Sequence, residues 1–391
     1  MRLFGFVLAA ALPLVAQVNA LGSKDIAEGW LMLFDGETTW GWTAEGGAKW
    51  KAAGGTLNSD GAESGWLRTT TQFADYVLKL EFQTAADGNS GVFLRAKKGA
   101  EPHKTGYELQ IFDAHPKFPT GGIVEHAAPL RKARINPQRW HEFEIVTLGS
   151  RILVKLDGKK VVDLNDTKSL NGYIGLQVNK NKPIQFRNIR LRPLGLAPIF
   201  NGKNLSGWQS VQPGTPPAQP AEWTARKGQM HVLKGPGQLE TKALFDDFVL
   251  QLDIRANSAD PVFHPNSGIF LRGRTNAFWS GYEVQIRNEF KDNDRAKPVD
   301  FGTGGVYSNQ PARRVVSSDN QFFTQTVIAQ GRHVSTWVNG YPIADWEDTY
   351  PEADGTKGRH AQLKPGPISL QAHDPKTNLD FKNIRIRSLP K

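Results

Sequence analysis

The sequence predicts an all-β protein made of two tandem antiparallel β-sandwich domains of the jelly-roll type. Three observations favour this fold: the chain repeats itself, apolar residues alternate with polar ones in short runs, and Gly-containing turns separate those runs. The length agrees, because 391 residues exceed one ordinary hydrophobic core. A short helix over residues 23–29 is the one helical element expected.

The repetition runs through nearly the whole chain in a constant order. The segments LFDGETTWGW, NSGVFLR, GYELQIFD and TGGIV return as IFNGKNLSGW, NSGIFLR, GYEVQIRN and TGGVY. Each unit has the size of a full domain rather than of a solenoid repeat. We therefore predict a first jelly-roll domain over residues 21–194 and a second over residues 195–391.

The N-terminus is typical of an export signal, which we place at residues 1–20. Arg2 precedes an apolar run over residues 3–16, and the sequence VNA at residues 18–20 matches a signal peptidase site. The run is shorter than the ~20 residues that cross a bilayer, so no membrane insertion is expected. Zero Cys excludes disulfides and thiolate metal sites. The predicted location is periplasmic or secreted.

The charge of the chain does not point to nucleic acid. The formal net charge is +10, from 48 Lys and Arg against 38 Asp and Glu. The basic residues are scattered singly or in pairs, without the tract that follows phosphates. Nucleic-acid binding is therefore not expected.

Alternation predicts the strands and the core. In the first copy, Tyr76, Leu78, Leu80 and Phe82 fall on one strand face, and Phe248, Leu250, Leu252 and Ile254 do so in the second copy. Asp157-Gly158 and Asn339-Gly340 tolerate the positive φ of a type I′ turn, so both indicate β-hairpins. The recurring tryptophans are expected to pack in the core; they are Trp42 with Trp208 and Trp50 with Trp223.

The same alternation predicts a polar face in each copy. Val92 and Leu94 should point to the core, while Asn89, Phe93 and Arg95 should share the other face. The next repeated strand adds Glu108 and Gln110 to the polar face, and the second copy repeats the set as Asn266, Arg272, Glu283 and Gln285. A curved sheet would gather these residues into a pocket. The alternative is an Arg–Glu ion pair on a solvated face, which would give no reason to repeat Asn and Gln.

Two histidines and two aromatic residues complete the candidates. His126 follows the first TGG and His373 lies near the C-terminus; each could act as a base or a metal ligand, or be a hydrogen-bonded surface residue. Trp279 precedes SGYE in a loop and could stack on a sugar ring or pack in the loop. Tyr307 ends the TGGVY segment.

The segments LFDG, NSG(V/I)FLR, GYE(L/V)QI, TGG and F(R/K)NIR(L/I)R resemble the 3-keto-disaccharide hydrolase domain family, in two copies. The resemblance implies a concanavalin A-like lectin/glucanase jelly roll that acts on glycosides oxidised at C3. A base would remove the C2 proton, the enolate would expel the C1 substituent, and water would add, giving net hydrolysis. Calcium or manganese could assist, no organic cofactor is expected, and the partner is an oxidised sugar. The implied catalytic residues are His373, Glu283, Arg272, His126, Glu108 and Arg95; the substrate-binding residues are Asn89, Gln110, Asn266, Gln285, Tyr307 and Trp279; the metal ligands are Asp113 and Glu108.

The two copies depart from one pattern in complementary ways. The first has Asp113 but Asn179 where the second has His373, and the second has Asn288 in place of the Asp. Either one copy has lost catalysis and kept binding, or one pocket draws on both domains. A non-catalytic, lectin-like carbohydrate-binding protein is the competing class. An ordinary glucanase is a third, although the E-x-D-x-x-E motif of some glucanases of this fold is absent.

Overall fold

The structure is a computed structural model that describes residues 18–99, 101–215, 217–352 and 359–390. The chain forms two β-sandwiches, one for each copy, and each sandwich consists of an eight-stranded and a five-stranded antiparallel sheet. The predicted fold class is therefore confirmed. The apolar run of the predicted signal peptide lies outside the described residues. In the part of the chain that is described, no helix is long and apolar enough to span a membrane.

The first copy begins with a short helix and continues through strands that pair mostly with distant strands. Its elements are α1 (Ser23–Glu28), β1 (Leu31–Met32), β2 (Trp42–Gly46), β3 (Lys51–Ala53), β4 (Thr56–Ser59), β5 (Gly65–Phe73), β6 (Tyr76–Thr84), β7 (Ser90–Ala96), α2 (Pro102–Thr105), β8 (Tyr107–Ile111), β9 (His141–Leu148), β10 (Arg151–Leu156), β11 (Lys159–Asn165), β12 (Gly172–Val178) and β13 (Ile184–Pro193). The predicted helix near residue 23 is confirmed.

The second copy repeats this series. Its strands are β14 (Ala197–Pro198), β15 (Trp208–Val211), β16 (Glu222–Arg226), β17 (Gln229–Leu233), β18 (Gly237–Thr241), β19 (Phe248–Ala256), β20 (Ser267–Leu271), β21 (Tyr282–Ile286), β22 (Phe323–Gln330), β23 (His333–Val338), β24 (Tyr341–Glu347), β25 (Ser369–Ala372) and β26 (Asn378–Ser388). The predicted boundary after residue 194 falls between the last strand of the first series and the first strand of the second.

The strand order is the same in both copies. The larger sheets run β3-β4-β13-β6-β9-β10-β11 and β16-β17-β26-β19-β22-β23-β24, with β1 and β14 added on β13 and β26. The smaller sheets run β2-β5-β12-β7-β8 and β15-β18-β25-β20-β21. The sequence repeat is therefore a repeat of the complete sandwich.

The core lies between the two sheets of each sandwich, as the alternation predicts. Tyr76, Leu78, Leu80 and Phe82 on β6 are completely buried. Both predicted hairpins form with positive φ at their two turn residues, which are Asp157 at 48° with Gly158 at 75° and Asn339 at 49° with Gly340 at 73°. Among the tryptophans, Trp42 and Trp208 are buried, while Trp50 and Trp223 are partly buried against the core.

The two sandwiches pack against each other. Trp337 of the second copy belongs to the core cluster of the first and donates its Nε1–H to the Met32 carbonyl oxygen at 3.0 Å. Asp75 accepts a hydrogen bond from Arg95 at 2.9 Å and lies 2.7 Å from Arg387 of the second copy. A buried carboxylate thus joins one arginine from each domain.

The predicted polar face is wrong for Arg95 and Arg272. Both residues have positive φ, 52° and 54°, and the pairing of β12 with β7 shifts register at this point. A β-bulge interrupts alternation, because the extra residue turns the following side chain away from the face that the period of two assigns to it. Phe93 remains on the face that points away from the core, whereas the Arg95 guanidinium is fully buried.

Candidate active site

The candidate site lies on the outer face of the five-stranded sheet of the second domain, meaning the face that points away from the sandwich core. A cavity of about 670 Å³ opens there and is lined by Phe270, Arg274, Trp279, Glu283 and Tyr307, among others. Phe270 and Glu283 are direct cross-strand partners on β20 and β21. The cavity therefore brings together three of the residues selected from the sequence: Glu283, Trp279 and Tyr307.

Glu283 is the main titratable group of the cavity. Its side chain lies over Gly268 of the neighbouring strand, where a Cβ would overlap the carboxyl group. Burial raises the pKa of Glu283 to about 7; the charge of His373 partly opposes this, and that of Asp300 adds to it. A carboxylate with this pKa is suited to accept and return a proton at neutral pH. The absence of a side chain at Gly268 makes room for it.

His373 lies near this carboxyl group at the end of β25. Its Nδ1 is 2.9 Å from Asp374 Oδ2, so the aspartate orients the ring and leaves Nε2 for another partner. The ring centroids of His373 and Trp279 are 6.4 Å apart. His373 thus lies near the exposed tryptophan and close enough to Glu283 for its charge to act on that carboxyl group, but it is not among the residues that line the cavity.

Two aromatic residues that line the cavity, Trp279 and Tyr307, are exposed to solvent. Trp279 is 58% exposed and Tyr307 is 40% exposed. Trp279 stacks on Phe278 with ring centroids 5.3 Å apart, and Tyr307 packs on Phe301 at 5.1 Å. Each ring is supported from one side and keeps surface available to a ligand.

The amide side chains of Gln285 and Asn266, which were selected from the sequence, do not line the cavity but bond to Asp300 instead. Gln285 donates its Nε2–H to Asp300 at 3.0 Å, and Asn266 donates its Nδ2–H to the same carboxylate at 3.1 Å. Asp300 in turn is one of the charges felt by Glu283. These amides therefore fix a charge near the glutamate rather than lining the cavity.

In the first domain the corresponding glutamate is Glu108, which is buried and does not line the nearby cavity. Burial raises the pKa of Glu108 to about 7, with a hydrogen bond from Gln177 opposing the rise and Glu125 adding to it. Glu108 is only 8% exposed and does not line the nearby cavity of about 440 Å³, whose walls include Trp66 and Phe93. Trp66 lies over Gly175 and fills the outer face there.

The other first-domain candidates do not converge on Glu108. His126 packs against Tyr107, whose side chain points to the core, and its Nδ1 is 3.2 Å from Asp166. The Gln110 side chain accepts a hydrogen bond from the Ile111 N–H. The Asn89 carbonyl oxygen accepts a weak one from Asn179.

The two repeated arginines have structural roles. Arg95 donates to Asp75 and to the carbonyl oxygens of Ala74, Gly149 and Ser169 at 2.8–3.1 Å. Arg272 makes the equivalent set, with Asp247 and the carbonyl oxygens of Asp246, Gly331 and Gln362. Neither guanidinium is available to a ligand on the outer face. The implied catalytic role of Arg95 and Arg272 is therefore wrong.

The expected metal ligands do not form a site. Asp113 accepts hydrogen bonds from the Thr120 hydroxyl at 2.5 Å and the Ile135 N–H at 2.8 Å. Within the described ranges, no three His, Asp or Glu side chains are grouped closely enough to hold a metal ion. The donor set therefore does not fit calcium or manganese.

Sequence reasoning missed several residues that shape the site. Gln371 on β25 is 1% exposed, and its Oε1 is buried without a hydrogen-bond partner in the described structure. Gln238 and Glu240 on β18 support the loop that carries Trp279. The sequence LQ occurs at residues 176–177 and again at 370–371, so Gln371 could have been noticed, whereas Trp66 and Arg68 stand in the first copy where the second has Gln238 and Glu240.

This geometry defines a jelly-roll protein with an open cavity and a buried carboxyl group on the smaller sheet of its second domain. A family model described as the 3-keto-alpha-glucoside-1,2-lyase-like domain matches residues 29–192 and again residues 195–387. The chain therefore belongs to this family and carries two tandem copies of its domain, as the sequence resemblance implied.

Several solved structures are similar to one of the two domains. Two are candidate glycosyl hydrolases of Parabacteroides distasonis: one is 21% identical, with 46% of this chain and 100% of that chain covered and a TM-score of 0.42, and the other is 25% identical, with 51% and 85% covered and a TM-score of 0.38. A carbohydrate-binding module, CBM66 from Bacillus subtilis, is 19% identical, with 38% and 94% covered and a TM-score of 0.32. A comparison with curated proteins gives no match.

Proposed function

We propose that the protein cleaves 3-keto-glycosides and that turnover takes place in the second domain. The observation that carries the proposal is Glu283, a carboxyl group with a pKa of about 7 that lines an open cavity and is close enough to His373 for the charge of the histidine to act on it. Family membership supplies the substrate class. The first domain has a similar glutamate, but Glu108 is covered and Asn179 replaces the histidine.

In the proposed reaction Glu283 removes the proton at C2, which the C3 ketone acidifies. The electron pair forms an enolate and then the C1–C2 double bond, which expels the oxygen at C1. His373 donates a proton to that oxygen, so the leaving group departs as a neutral alcohol. Water then adds at C1 and gives a proton to His373, which restores its protonated form, and Glu283 returns the proton to C2. The atoms balance as net hydrolysis.

Two features favour this order of steps. Glu283 is largely desolvated, so its ionised form is a stronger base than an ordinary carboxylate. The cations that line the cavity are Arg274 and Arg359, which can stabilise the negative charge of an enolate bound there. No step is routed through a metal ion, because the donor set does not fit one.

The test is incubation of the purified protein with methyl 3-keto-α-glucoside and with its unoxidised parent, each with and without EDTA. Cleavage of the keto form alone, with exchange of the C2 hydrogen for deuterium in D2O, supports the proposal. Binding of either sugar without turnover would instead indicate the lectin-like alternative. Hydrolysis of the unoxidised parent would contradict a keto-specific elimination.

Export also remains a proposal. The support is the signal-peptide pattern over residues 1–20, with cleavage after Ala20. N-terminal sequencing of protein from a periplasmic extract should begin at Leu21. Recovery of full-length chain from the cytoplasm alone would contradict it.

A further inference from the structure

The cavity of the second domain holds more positive than negative charge. Arg274 and Arg359 both line it, and Glu283 is the only acidic side chain among its described lining residues. Glu283 is only partly ionised near neutral pH, because burial raises its pKa to about 7. The two guanidinium groups therefore outnumber the negative charge that faces them.

Arg274 enters the cavity without a partner for its charge. It lies in the loop after β20 and is exposed. Its backbone N–H donates to Ser280 Oγ at 2.9 Å, which fixes the main chain at this point. In the part of the chain that the structure describes, no carboxylate or other acceptor contacts its guanidinium group. The N–H groups of that guanidinium are therefore available to a ligand.

Arg359 is held in place by neutral groups of the same cavity. Its Nη1 donates to the Ser308 carbonyl oxygen at 3.1 Å and to the Tyr350 hydroxyl at 3.0 Å, and its Nη2 donates to Ser308 Oγ at 2.7 Å. The Tyr350 hydroxyl in turn donates to Asn309 Oδ1 at 2.9 Å. These contacts order the arginine side chain, while none of the described residues supplies a carboxylate to neutralise it.

The segment that carries Arg359 is an insertion relative to the first domain. In each domain a tyrosine hydroxyl contacts an aspartate before the segment and a backbone N–H after it; these residues are Tyr107, Asp166 and Ser169 in the first domain and Tyr282, Asp348 and Gln362 in the second. Between these anchors the first domain has residues 167–168 and the second has residues 349–361. The insertion thus adds a cation to the cavity of the domain in which we place turnover.

The cavity of the first domain differs in charge. Its described lining residues include Glu45 and contain no Lys or Arg. The position that corresponds to Arg274 is Lys97, which is exposed and is not among these residues. Excess positive charge therefore distinguishes the cavity of the second domain from that of the first.

The proposed reaction does not neutralise this excess charge. With a neutral substrate, ionised Glu283 opposes the two guanidinium groups before proton transfer; afterwards Glu283 is neutral and the enolate carries the negative charge instead. The balance is the same at both stages. A cleft lined by charges of one sign attracts a ligand of the opposite sign, and guanidinium groups bind oxyanions through charge-assisted hydrogen bonds.

We propose that the substrate of this cavity is an acidic 3-keto-glycoside, whose carboxylate or similar oxyanion is bound by Arg274 and Arg359. This inference rests on the proposed function and adds the charge of the substrate to it. The oxyanion is placed either at C6 of the keto sugar or in the group at C1, and the experiment has an arm for each position.

Two pairs of substrates that differ only in charge test the inference. Methyl 3-keto-α-glucuronide is compared with its C6 amide, and 4-carboxyphenyl 3-keto-α-glucoside is compared with the 4-carbamoylphenyl compound. In the wild-type protein we expect KM for at least one acid to be about ten-fold lower than KM for its amide, the size of effect that a charge-assisted contact gives. Added salt should weaken this preference, because it screens exposed charges.

The variants are Arg274→Gln, Arg359→Gln and Arg359→Lys, with Arg131→Gln as the matched control. Each Gln variant should bring KM for the acid to within about three-fold of KM for the amide, whereas Arg359→Lys keeps the charge and should retain more of the preference. Any contribution of the arginines to enolate stabilisation lowers turnover of acid and amide alike, so it cancels in the comparison. Arg131 is exposed, belongs to the first domain and is not among the residues that line either cavity, so its variant should keep the wild-type preference. Thermal unfolding checks that each variant is folded.

Calorimetric binding of the unoxidised acids and amides separates this inference from the proposed function. If the wild-type protein turns over none of the four keto sugars, the proposed function fails, but tighter binding of an acid than of its amide, lost in the Gln variants, would still support the anion site. Turnover with equal KM for acid and amide in both pairs, or a preference that both Gln variants keep, would overturn the inference and leave the proposed function intact. A protein that turns over none of these sugars and binds neither acid more tightly than its amide would overturn both.

Discussion

The pKa of Glu283 makes a quantitative prediction about the pH dependence of turnover. If this carboxylate is the base, kcat/KM follows its ionised fraction. With a pKa of about 7 that fraction is about 0.9 at pH 8 and about 0.01 at pH 5, so kcat/KM should fall about 90-fold between these values. A glutamate with the ordinary pKa of 4.5 would lose only about a quarter of its ionised form over the same range.

The assay is the initial rate of methyl 3-keto-α-glucoside cleavage from pH 5 to pH 8.5 at low substrate concentration. Glu283→Gln should lower kcat/KM by about 100-fold to 10,000-fold, the usual contribution of a positioned base. Glu108→Gln is the matched variant, since Glu108 has a similar pKa but is not among the residues that line the nearby cavity of the first domain. A flat profile between pH 5.5 and pH 8, or equal losses in the two variants, would refute the assignment.

Three further results are expected. Glu283→Gln should stabilise the fold at pH 8 but not at pH 5, because the folded-state pKa of Glu283 is raised: its contribution to the free energy of unfolding is fully present below the unfolded pKa near 4.5 and is lost as pH rises through 7. The gain in unfolding free energy at pH 8, measured by urea titration, should approach about 3 kcal/mol. An equal gain at both pH values would contradict this prediction. Asp75→Asn should lower the unfolding free energy by about 3–5 kcal/mol, because it leaves the buried Arg95 without its carboxylate and removes the ion pair with Arg387. KM of the folded enzyme should stay unchanged. A calorimetric melting temperature within a degree of wild type would contradict a stabilising role for the buried pair. His373→Ala should lower turnover about 100-fold or more for an alkyl 3-keto-glycoside but hardly affect a nitrophenyl one, whose leaving group needs no proton, and equal losses would show that His373 does not protonate the leaving oxygen.

The sequence was sufficient to predict the duplication and most strand faces. Alternation depends only on the period of two, and the buried series on β6 follows it without interruption. The same period fails at Arg95 and Arg272, because each residue has the left-handed backbone conformation and its side chain therefore points to the opposite face from the one that alternation predicts. Neither position is a glycine, so the sequence gives no sign of a left-handed residue there. Alternation alone therefore assigns these two repeated arginines to the wrong side of the sheet.

The glutamates could be selected from the sequence, but the difference between their surroundings could not. Glu108 and Glu283 occupy equivalent positions with equivalent neighbours along the chain. What separates them lies on another strand, where Trp66 packs over Gly175 in the first domain and Gln238 supports the Trp279 loop in the second. That strand is distant in sequence, and although GWLRT at residues 65–69 returns as GQLET at residues 237–241, the outward-facing residues are the ones that differ, so no repeated polar residue linked it to the glutamates.

The bulged arginine has a consequence for how the repeat should be interpreted. Arg95 and Arg272 each donate hydrogen bonds to three neighbouring carbonyl oxygens and an aspartate at the end of a strand. These hydrogen bonds stabilise the fold of each sandwich, whether or not that sandwich binds sugar. Selection for folding alone would keep NSG(V/I)FLR in both copies, including a copy that had ceased to bind sugar. The motif is thus a marker of the scaffold, and a duplicated chain can carry it twice while keeping a single working pocket.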